Sequence, residues 1–82
     1  MAYIPSTEKL AALGYVLQPD RDGFGRRDYV WSRRRITTWD DTPHVAFMAH
    51  QGLNPNPHTC FSLAVPSEAF FDELLRALDW HG

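Results

Sequence analysis

A single cysteine, Cys60, excludes an internal disulfide and makes a reducing compartment the simplest setting. Lysine is equally scarce, with Lys9 alone, which argues against a broad phosphate-binding surface. No apolar run approaches the roughly 20 residues needed to span a bilayer. The opening MAYIPSTEKL lacks the charged start and apolar stretch of a signal peptide. A cytoplasmic protein is therefore expected. Glycine-rich phosphate loops and Ser-His-Asp spacings are also missing, since DGFG has no strand–loop–helix context.

The 82 residues suffice for one domain, 1–82, with a small core. Eleven aromatic residues are a generous supply for so short a chain, and suit either that core or an adhesive face. The net charge of −2 is unevenly spread: residues 21–35 carry +4, residues 1–20 carry −1 and residues 36–82 carry −5. A basic middle and an acidic C-terminal half follow.

Periodicity and turn residues predict an α+β order. Pro5 with Ser6 or Thr7 opens a short helix, Glu8 favours its first turn, and Gly14 ends it. GYVLQ reads as a strand stopped by Pro19. Beyond the turn-rich PDRDGFG, residues 27–34 form the return strand of a hairpin. Residues 36–39 either continue that strand or start another, and Asp40-Asp41-Thr42-Pro43 is a turn. HVAFMAH and TCFSLAV alternate as strands. Pairing them so that residue numbers sum to 108 sets Val45 opposite Leu63, Phe47 opposite Phe61, Met48 opposite Cys60 and His50 opposite His58. The odd-numbered face is then the core face. Ser67 caps a final helix with an apolar stripe of Phe70, Phe71, Leu74, Leu75 and Leu78, fraying near Trp80. The expected fold is a short N-terminal helix, an antiparallel sheet of three to four strands, and a C-terminal helix packed on one sheet face, the other face staying open.

The unusual stretch is RRDYVWSRRR, residues 26–35, in which five arginines bracket a Tyr and a Trp. On one continuous strand, Arg27, Tyr29, Trp31, Arg33 and Arg35 share a side. That side either enters the core, with Arg27 and Arg33 snorkelling, or forms an Arg–aromatic stripe able to grip a protein or stack bases. The helix–strands–helix order is similar to that of double-stranded-RNA-binding domains, which carry a lysine cluster at the start of the last helix. Here that start reads PSEAFFDE and would repel phosphate.

His50, His58 and Cys60 gather at the neck of the QGLNPNP loop as weak metal candidates, one short of the four ligands of a structural zinc site. A Cys60–His nucleophile pair would need an orienting third group and a pocket. Neither is evident, so no cofactor and no catalysis are expected. The Phe/Leu stripe is a core feature rather than a membrane anchor, because its polar face is acidic.

The sequence thus points to a non-enzymatic binding protein docking on a larger protein with an acidic surface or groove, as inhibitor or adaptor. Arg26, Arg27, Trp31, Arg33, Arg34, Arg35 and Trp39 are the expected docking residues. By analogy only, small proteins of phages and mobile elements that counter host defence have this character. The alternatives are a nucleic-acid-binding module using the same arginines, and a small Cys/His enzyme or metal site. Monomer and homodimer are both compatible with an uncovered sheet.

Overall fold

A computed structural model describes residues 2–19, 25–50 and 57–81, apart from the side chains of residue 50 and residues 57–60. Helix α1 (Thr7–Ala12) is followed by strands β1 (Val16–Leu17), β2 (Arg26–Trp31), β3 (Arg34–Trp39), β4 (His44–His50) and β5 (Pro57–Ala64), then helix α2 (Glu68–Leu78). The strands form one antiparallel sheet in chain order, β1-β2-β3-β4-β5. The predicted α+β arrangement is therefore present, with the sheet extended to five strands.

The extra strand comes from the arginine segment. It folds back at Ser32–Arg33, so that Trp31 pairs with Arg34 across a two-residue turn. Ser32 takes a positive φ of 56°, a conformation usually reserved for Gly or Asn. The alternation assumed through residue 35 is interrupted there, and Arg35 returns on the opposite face.

Both helices are capped as the sequence indicates. Ser6 Oγ accepts from the Lys9 amide at 3.1 Å, and Ser67 Oγ accepts from the Phe70 amide at 3.1 Å. Beyond α2 the chain does not fray. Asp79 adopts the left-handed conformation, its amide donates to Arg76 O and the Trp80 amide donates to Leu75 O at 2.8 Å. This closure turns the Trp80 ring into the core, where it is 5% exposed.

One sheet face meets the helices. Tyr29, Ile36, Val45 and Phe47 pack there with Leu10 of α1 and Phe71 and Leu75 of α2. Phe47 is central: its ring stacks on Phe61 at 5.1 Å and meets Trp80 and Phe71 at 6.0 and 6.3 Å. The odd-numbered face of β4 and β5 is thus the core face. Phe70, expected in the same stripe, is 40% exposed. Lys9 Nζ joins the helices, 2.7 Å from Asp72 Oδ1 and 3.2 Å from Glu68 Oε2.

The ladder also fixes where main-chain groups point. Gln18 N donates to Asp28 O and Asp40 N to Gly25 O, at 2.8 and 3.2 Å. In an antiparallel ladder, hydrogen-bonded and non-bonded pairs alternate, and each residue turns both main-chain groups to the same neighbour. Carried through the registers, odd residues of β4 face odd residues of β5. The N–H and C=O of Ser62 and Ala64 consequently point away from the sheet.

Candidate docking surface

The seven predicted residues do not form one patch, because the turn at Ser32–Arg33 sends them to different sides. Arg26, Arg35 and Trp39 lie on the helix-free face, Arg26 paired across the ladder with Trp39. Trp31 and Arg34 lie on the helix side. Arg33 is exposed in the turn itself, and Arg27, near the start of β2, reaches Asp40.

Electrostatics separates them further. Arg26 Nη2 lies 3.4 Å from Asp28 Oδ2, and Arg27 is ion-paired with Asp40. Gly25, at φ +76°, supports the second pair, since a Cβ there would press on the Asp40 side chain. Among the described residues, no carboxylate comes within 4.0 Å of Arg33, Arg34 or Arg35. Arg34 is instead held by rings, its guanidinium 4.9 Å from the Trp31 centroid and 6.0 Å from that of Trp80. Tyr15 braces Trp31 at 5.9 Å between centroids. Burial raises the Tyr15 phenol pKa, and the Arg34 charge opposes that only in part.

The helix-free face is apolar with a few charges. Val30 and Met48 flank Arg35 in the register, and Ala46 sits opposite Thr37. Val16 extends the face at 62% exposure. Thr37 Oγ1 donates to Asp28 Oδ1 at 2.7 Å, which leaves Asp28 partnered on both sides. The Nε of Arg35 is buried without a hydrogen-bond partner among the described residues, so its stem lies along the sheet. A shallow depression of ≈ 460 Å³ opens beside Trp39, lined by Thr42, His44 and Ser62. Val16, Val30 and Met48 were not singled out by the sequence reading. The even-numbered alternation was the signal for Met48 in β4 and for Val30 in β2, while the turn after Trp31 brings Arg35 onto their face.

For the histidine–cysteine cluster, the side chains of His50, His58 and Cys60 lie outside the described residues. The backbone register corrects one expectation: a slip between Ala49 and His50 pairs His50 with Pro57 instead of His58, while Met48 stays opposite Cys60. Among the described residues no three His, Cys, Asp or Glu side chains gather to hold a metal ion, and no helix is long and apolar enough to cross a membrane. Comparison with protein-family models, curated proteins and solved structures returned no significant match, so a functional reading rests on this geometry alone.

Proposed function

We propose that this protein works in the cytoplasm without catalysis, as an inhibitor or adaptor that docks its helix-free sheet face on an acidic surface of a larger protein. Arg35 carries the reading: a guanidinium with no carboxylate within 4.0 Å among the described residues, on a face with Val30, Met48 and Trp39. An apolar surface with Trp and Arg anchors has the make-up of interface hot spots. The partner supplies the carboxylate that Arg35 lacks, and complementary charge orients the encounter. Nucleic acid is the weaker reading, since Asp28 shares the face and the chain is acidic overall.

Affinity capture from the native host, comparing wild type, Arg35→Glu, Trp39→Ala and the charge-matched control Arg76→Glu on α2, tests this. Expected is a protein held by wild type and Arg76→Glu and lost with the other two. Equal capture by Arg35→Glu overturns the proposal. So does binding of single- or double-stranded nucleic acid at about 50 mM salt that collapses steeply as salt rises.

A further inference from the structure

The two edges of the sheet differ sharply. At β1 the edge is two residues long, Pro19 follows closely, and α1 closes over its start, the Tyr15 amide donating to Leu10 O at 2.9 Å. That edge is blunted in the usual ways. The β5 edge has eight residues, PHTCFSLA, without one Asp, Glu, Lys or Arg. Ser62 and Ala64 turn their amides and carbonyls outward along it, as the alternation of the ladder requires. On the helix side, Phe61 and Leu63 of the same strand are only half-buried, so the core reaches this rim incompletely covered.

We infer that β5 pairs antiparallel with β5 of a second copy, joining two five-stranded sheets into one of ten strands. An isologous two-fold contact matches the strand to itself. Outward-pointing even residues meet outward-pointing even residues, so the faces stay in step and Phe61 and Leu63 meet their counterparts on the helix side. The absence of charge removes the repulsion that would prevent self-pairing. Stacking of the two helix-free faces suits the same partner less, because Asp28 on that face is already held by Arg26 and Thr37 and offers Arg35 no free carboxylate. The edge therefore takes the second copy and leaves the Arg35 face free. This inference does not depend on the proposed docking function.

Sedimentation equilibrium from about 1 µM to 500 µM, with reductant present to keep Cys60 as a thiol, tests it. Wild type is expected to approach twice the 9.4 kDa chain mass as concentration rises. Ser62→Pro removes an outward N–H that β4 does not use, so the monomer fold and its circular dichroism persist. Losing that donor from both copies weakens the dimer by roughly tenfold or more. Ser62→Lys, which adds a charge to the edge and leaves the amide intact, has the same effect and serves if the proline variant does not fold. Amide exchange at Ser62 slows with concentration in wild type only. A wild type that remains a 9.4 kDa monomer throughout overturns the inference, as does a Ser62→Lys dimer of undiminished strength.

Discussion

The Tyr15 hydroxyl donates to the main-chain carbonyl of Trp80 across 2.9 Å, joining the residue that leads into the first strand to the end of the last helix. Both groups are buried, so neither has water as a substitute partner. Tyr15→Phe leaves the Trp80 carbonyl unsatisfied and costs about 1–3 kcal/mol in urea denaturation. The same substitution alters the alkaline limit. Because burial raises the folded-state pKa of Tyr15 above its ordinary value of 10.0, only the unfolded chain releases that proton just above pH 10. Stability is complete below that pH and declines as pH climbs toward the folded-state value. The alkaline decline measured by circular dichroism is expected to be shallower in Tyr15→Phe.

Phe47 tests the core. With Phe61, Phe71 and Trp80 all around its ring, truncation to Ala leaves a cavity that three aromatic neighbours cannot fill together. A loss of about 3–5 kcal/mol is expected. Domains of this size hold only about 4–12 kcal/mol in total, so the variant is marginal at 37 °C. Phe47→Leu keeps most of the volume and melts cooperatively, as thermal scans of the two variants will show.

Asp79 offers the opposite sign. It holds φ 59° and ψ 45°, where a side chain is strained, and its carboxylate sits at the negative end of α2. Asp79→Gly keeps the closure that seats Trp80 and relieves both costs. A gain of about 0.5–1 kcal/mol is expected, read as a rise of several degrees in Tm. Asp79→Ala relieves the charge but not the backbone strain and gains less.

The sequence made the helices, their caps, the 45–63 and 47–61 strand pairs and the core face legible, because each is written in local periodicity or capping chemistry. What it hid were left-handed residues without glycine. Ser32 makes a turn in a segment that lacks Gly, Asn and Pro, so Arg26–Arg35 read as one extended run and its side chains were assigned to faces accordingly. Asp79 similarly masks a helix closure, and Trp80 was read as a frayed end although it belongs to the interior. The slip that sets His50 against Pro57 has no local signature, since it depends on how two strands meet rather than on either one. For the docking residues, composition singled out a stretch, and the fold decides which of its arginines share a face.

The chain-order sheet bears on how the molecule assembles. Each strand neighbours the next one along the chain, so the successive hairpins zip with short loops. By contrast, Tyr15 and Trp80 are 65 positions apart, and their contact waits on the whole intervening chain. Their clasp is a long-range closure and is expected to form after the hairpins. Damage there should quicken unfolding while leaving the rate of folding nearly unchanged.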